Sequence, residues 1–136
     1  MAVLKKDREQ SSVQFLDTAR KLEVLTIKNC LKFPKRYTFF ITTEIVRLSQ
    51  SVYNNLKSAN SIFPTSQADV QIRREYFIKA NCDLQALISQ LDIAKEVIES
   101  DIKSSVWCEW MDLIEEEAKL IASVKKSDRE RYKNLP

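Results

Sequence analysis

The chain has 136 residues, 44% of them hydrophobic and 30% charged, with a formal net charge of +3, which suits one domain with its own core and a well-solvated surface. It contains no glycine, only three prolines and no histidine. Without glycine, the tight hairpins and phosphate-cradling loops of meanders, Rossmann units and P-loops are disfavoured. Without histidine, the commonest general base and metal ligand is missing.

The cysteines, Cys30, Cys82 and Cys108, are odd in number and far apart, which argues against a disulfide framework; they read as small apolar residues. No catalytic residue, metal site or cofactor is expected. Met1 to Gln10 carries Lys5, Lys6, Asp7 and Arg8 with no apolar run behind them, so it is not a secretion signal. No run reaches bilayer length. The expectation is a cytoplasmic protein with no membrane partner.

The first helix is expected over 12–32, with Phe15, Leu16, Ala19, Leu22, Ile27 and Cys30 on one broad face. Phe33-Pro34 ends it, because the residue before proline avoids helical geometry. Pro34 can then open the second helix, 35–59, where its missing N–H costs nothing. In that helix Tyr37, Ile41, Ile45, Leu48, Val52, Leu56 and Ala59 recur every three or four residues as a core stripe. Phe39, Val46 and Tyr53 recur every seven residues almost opposite, and are read as an interface with a neighbouring subunit.

A loop follows over 60–67, broken by Pro64. Ser66 with Asp69 reads as a capping box that starts the third helix, 68–99. Its stripe is Val70, Phe77, Ala80, Leu84, Leu87, Ile88, Leu91, Ala94 and Ile98, and its length should be about 45 Å. The connection 100–104 is too short for anything but an antiparallel neighbour. The fourth helix, 105–125, turns Val106, Trp107, Trp110, Leu113, Ile114, Ile121 and Val124 inward. Its two indoles are read as core fillers ahead of base-stacking platforms. Ser127 and Glu130 could cap a last short turn, and the basic tail 126–136 is expected to fray from Asp128 onward. The whole chain, 1–136, thus reads as a single all-α domain, an antiparallel up-and-down four-helix bundle.

Charge is unevenly distributed. Lys28, Lys32, Lys35 and Arg36 gather at the first corner, Arg73 and Arg74 lie early in the third helix, and Lys125, Lys126, Arg129 and Arg131 crowd the C-terminal end. These are the candidate phosphate contacts, for which affinity would fall with salt. In an antiparallel bundle the first corner and the Pro64 loop lie at opposite ends, so they cannot form one patch. Arg73 also falls on the stripe of its helix, which implies partial burial and a partner. The stretch 92–117 is acidic. Glu115, Glu116 and Glu117 point around the helix and are read as a solvated face; a di-iron site would need Glu-x-x-His.

The stretch Lys32-Phe33-Pro34-Lys35-Arg36-Tyr37, the helix after it to Ala59, and Ile72-Arg73-Arg74-Glu75-Tyr76-Phe77 continuing to Leu91-Asp92 resemble a known family. It is the four-helix-bundle family of proteins encoded in 23S rRNA intervening sequences and of the accessory variability determinant (Avd) of diversity-generating retroelements. The resemblance covers nearly the whole chain. It implies a homopentameric barrel of bundles and, for the accessory branch, binding to a reverse transcriptase and to RNA or DNA through basic surface. Lys35 and Arg36 take the place of the basic residues after the Phe-Pro junction. The intervening-sequence branch commonly carries an Asn-Ile-Ala-Glu-Gly-like stretch after its second helix. Here Asn54-Asn55-Leu56-Lys57-Ser58-Ala59-Asn60 has no glycine, which favours the accessory branch. The resulting expectation is a non-catalytic nucleic-acid-binding accessory protein. The alternative is an intervening-sequence-type bundle acting as a protein-interaction scaffold, with 92–117 as its docking face.

Overall fold

The computed structural model describes residues 2–98 and 102–136, with side chains described from Val13 onward. Four long helices carry the fold: α1 (Ala2–Cys30), α2 (Thr43–Asn60), α3 (Gln67–Val97) and α4 (Ser104–Arg131). There is no strand among the described residues, and no helix there is long and apolar enough to cross a membrane. Sequential helices pack side by side and α4 closes back on α1. The two ends of the bundle are defined by contacts between distant residues. At one end, Phe33 stacks on Trp107 at 5.9 Å and the Tyr37 hydroxyl donates to the Val97 carbonyl at 3.4 Å. At the other, Arg73 meets Ala59 and Asp128. Alternating helix directions are the only arrangement that satisfies both.

The core is the set of stripes expected of helices with 3.6-residue periodicity, with some exchanges. Phe15 of α1 meets Phe77 of α3 edge-on across the bundle at 5.6 Å, a preferred aromatic geometry. Trp107 and Trp110 are both buried, stacked 5.8 Å apart, and so are core side chains. On α1 the inward line runs through Thr18, Thr26 and Asn29 as well as Phe15, Ala19, Leu22 and Cys30. Ile27, expected inward, is instead exposed. The exchange has a physical reason: Trp110 Nε1 donates to Thr26 Oγ1 at 3.0 Å, and a buried indole N–H needs an acceptor that an isoleucine cannot offer.

Boundaries differ from expectation in three places. Helix α1 begins at Ala2, ten residues early, because 2–11 holds helix formers and no breaker. The second helix does not begin regularly at Lys35. Pro34 sits at an extended N-cap, Lys35–Tyr37 form a 3-10 turn, and Thr38–Thr42 form a π turn before α2 starts. The Thr43 N–H and hydroxyl both bond the Thr38 carbonyl, which secures the widened turn. Helix α4 continues six residues past its expected end to Arg131, so Ser127 and Glu130 cap no separate turn. The tail beyond does not fray. Gln67 donates its backbone N–H to the Pro136 carbonyl at 2.9 Å and its side-chain amide to the carbonyls of Tyr132 and Leu135. Helix α3 ends at Val97, with Ile98 already extended, and Glu99, its expected end, lies outside the described residues with residues 100 and 101 of the connection to α4.

The start of α3 shows how the chain sets an element from local chemistry. Ser66 Oγ accepts from the Asp69 N–H at 3.3 Å as N-cap. The Asp69 carboxylate reaches back one residue further than in a capping box, to the Thr65 N–H and hydroxyl, both at 3.0 Å. Chiefly that backbone bond holds its carboxyl below the usual range.

One core position contradicts the solvated reading of the acidic run. Glu117 is 0% exposed, and neither carboxylate oxygen has a hydrogen-bond partner. Burial, with a smaller contribution from Glu116, pushes its pKa up to about 8. A carboxyl raised in the folded state leaves stability intact below its unfolded value of 4.5 and erodes it as pH rises toward 8. At pH 7 the erosion is about 3 kcal/mol. Glu117→Gln should therefore raise stability by about that amount at pH 7 and change little at pH 4, as read by urea unfolding. Equal effects at both pH values would contradict a buried, protonated Glu117.

Candidate nucleic-acid interface

The ten basic candidates divide between the two ends of the bundle. Lys28, Lys32, Lys35 and Arg36 are exposed at the α1–α2 corner. Arg36 lies over the Tyr37 ring at 4.9 Å and donates to its hydroxyl at 3.2 Å, so its guanidinium is propped in place. Lys28 and Lys32 also follow the carbonyl end of α1, where cations are favoured in any helix. The same end carries the acidic residues of the α3–α4 side: Asp92, Glu96, Glu109 and Asp112 are exposed there. That end therefore presents both signs.

The opposite end gathers more cations, with Glu75 and Glu130 exposed beside them. Arg74, Lys126, Arg129 and Arg131 are exposed there and Lys125 is half-buried. Arg73 must be removed from the candidates. The residue is only 7% exposed, with Nε and Nη2 on the two Asp128 oxygens at 2.7 and 3.3 Å. Its Nη1 donates to the carbonyls of Ala59 (3.0 Å) and Ile62 (3.3 Å), and the guanidinium lies over the Phe77 ring at 5.2 Å. Every face of that group is engaged inside the fold, which leaves nothing for a phosphate. The stripe position of Arg73 announced this. Asp128, which sequence reading placed in a fraying tail, supplies the partner instead.

With Asp128 committed to Arg73, its charge no longer offsets the cations beside it. Among the described residues, no carboxylate lies within salt-bridge distance of Arg74 or Arg129. A pocket of about 200 Å³ opens between the first turns of α3 and the end of α4, lined by Arg74, Arg129 and Lys133 together with Gln67, Gln71 and Tyr132. The folded-back tail forms one of its walls. Sequence reading missed Lys133 and the pocket, because the cavity depends on the Gln67 bonds to the tail.

The apolar candidates separate too. Phe39 is 91% exposed, whereas Val46 and Tyr53 are half-buried against the core. A seven-residue repeat shares a face only on a regular helix, and the π turn interrupts it after Phe39. Phe39 instead pairs with Phe40, itself 85% exposed, beside the basic corner. At the same end a groove of about 450 Å³ runs between α3 and α4, with Ile88, Leu91, Trp107 and Met111 inside and Asp92 and Asp112 among its lining residues. Of the three thiols, all free, Cys82 and Cys108 are on the surface, while burial pushes the Cys30 thiol up to about 12.

Compared with protein-family models, curated proteins and solved structures, the chain matches none.

Breaking the Arg73 clamp should be costly, because it leaves the Asp128 carboxylate buried without its cation. Arg73→Ala is expected to lose about 3–5 kcal/mol of unfolding free energy. The paired apolar replacement Arg73→Met with Asp128→Leu should recover much of it. A loss below 1 kcal/mol for Arg73→Ala in denaturant titration would show that the pair is peripheral.

Proposed function

We propose that the protein is a non-catalytic, nucleic-acid-binding accessory protein of a diversity-generating retroelement. In this reading it associates with the reverse transcriptase and with template RNA or cDNA through basic surface. The observation that carries the nucleic-acid part is the end of the bundle where Arg74 and Arg129 stand without carboxylate partners among the described residues. Uncompensated arginines on a fixed scaffold suit sequence-independent phosphate contact. The assignment to a retroelement rests on the resemblance of the Lys32–Tyr37 junction and the Ile72–Asp92 helix.

Self-association, as a homopentamer in the resembled family, is part of the same proposal. Supporting it, Phe39 and Phe40 stand in solvent next to cations, and the α3–α4 groove combines apolar walls with two carboxylates, Asp92 and Asp112, against one cation, Lys95. The two surfaces are complementary in polarity and charge, and they lie on different helices at one end of the bundle. A contact between unlike surfaces of successive copies is the kind that closes rings. A second reading, an intervening-sequence-type bundle acting as a scaffold, draws on the same groove, which could instead receive another protein.

Light scattering and RNA binding on one sample across a salt series test the proposal. The expected result is an oligomer that takes up RNA at low salt and releases it steeply as salt rises. Arg74→Gln with Arg129→Gln should weaken binding at least tenfold, and Phe39→Asp with Phe40→Asp should dissociate the oligomer without loss of helicity. A monomer indifferent to RNA at low salt would refute both parts.

A further inference from the structure

We propose that the pocket between the start of α3 and the end of α4 is an oxyanion site for a phosphate group. Four observations converge on it. First, its cationic lining is Arg74, Arg129 and Lys133, and of these only Lys133 has a carboxylate contact among the described residues, Glu130 at 3.4 Å. That pair is exposed on both sides and easily exchanged for a stronger anion. Second, the one acidic lining residue, Asp128, is already held by Arg73, so it does not repel an entering anion as a free carboxylate would.

Third, the uncharged lining is suited to the same ligand. Gln71 and Tyr132 add neutral donors, whereas Gln67 spends its amide on the tail carbonyls and so closes the site. Fourth, the size fits. A pocket of about 200 Å³ has room for a tetrahedral oxyanion with part of its hydration. Planar guanidinium forks match two oxygens of such a group at once, which a lysine patch does not. At the α1–α2 corner Arg36 instead rests on the Tyr37 ring.

The chemistry recognised is a phosphate group, carried by a nucleic-acid backbone or end or by a free phosphate. Only the choice of carrier rests on the nucleic-acid reading. The decisive experiment is an NMR titration of the full chain with inorganic phosphate at constant ionic strength. The guanidinium N–H signals of Arg74 and Arg129 and the Gln71 side-chain amide are followed beside that of Arg36. Saturable shifts at the pocket with only linear drift at Arg36 are expected. Arg74→Gln with Arg129→Gln should weaken saturation at least tenfold, and Lys133→Gln, further out, should weaken it less. Unsaturable shifts, or unchanged affinity in the folded double variant, would overturn the site. A second titration uses short single-stranded RNA with and without a 5′-phosphate. Tighter binding of the phosphorylated strand at the pocket supports a terminal phosphate as ligand, and equal pocket shifts support the backbone. RNA that binds without moving the pocket signals overturns the site and leaves the nucleic-acid reading standing. Saturation by phosphate with no RNA binding upholds the site and removes nucleic acid as its carrier.

Discussion

A single buried arginine organises one end of this molecule. Arg73 stands on α3, grips the last turn of α4 through Asp128, and bonds the Ala59 carbonyl at the end of α2 and the Ile62 carbonyl just beyond it. The Ala59 carbonyl also accepts from the Ile62 N–H, so Arg73 adds to a turn the backbone has begun, and a cation there meets the negative end of the helix dipole. A buried ion pair contributes little net stability compared with apolar packing, since both charges lose their water. What it contributes here is register: α4 can neither slide nor rotate against α3 without stranding two charges. The tail then returns over Gln67 and the pocket closes around it. By occupying Asp128 the clamp also leaves the surrounding cations unbalanced, which links the stability of this end to its affinity for anions.

The other end is built on aromatic packing and on mixed charge. Phe33 fills the space over Trp107 and Trp110, so the proline junction is pinned to the core while the residues after it turn outward. The π turn throws Phe39 and Phe40 into solvent and keeps Ile41 inside. Cations and carboxylates are interspersed there, Lys95 and Lys103 among Asp92, Glu96 and Glu109. Such a surface suits contact with a protein of alternating charge better than contact with a polyanion. The two ends thus divide the proposed tasks, phosphate at one and self-association at the other. Glu117 lies between them as a neutral carboxyl at moderate pH, a cost in stability that the fold carries without visible return.

Much of this was legible in the chain. The absence of glycine, the spacing of apolar residues and the two prolines at junctions were enough for four antiparallel helices, and Arg73 betrayed its burial by falling on a stripe. The misses within the core share one cause: polar residues at core positions. Thr26, Asn29 and Glu117 follow the helical period as closely as their apolar neighbours, but a reading that counts only apolar residues skips them. Glu117 stands three residues after Ile114 and four before Ile121, and that spacing was the available signal. The tail and the phosphate pocket were invisible for a different reason. They depend on Gln67 meeting carbonyls some 65 residues away, and no local pattern encodes such a pairing. The seven-residue repeat of Phe39, Val46 and Tyr53 misled because a π turn has a different period.

Hydrogen–deuterium exchange of the full chain with and without single-stranded RNA at low salt addresses the central claim most directly. If the clamped basic end receives the phosphate backbone, protection should concentrate in the first turns of α3 and from Asp128 to the end of the chain. The α3–α4 groove around Leu91 and Trp107 should stay unchanged. Protection confined to that groove, or spread evenly over the bundle while RNA is bound, would contradict it.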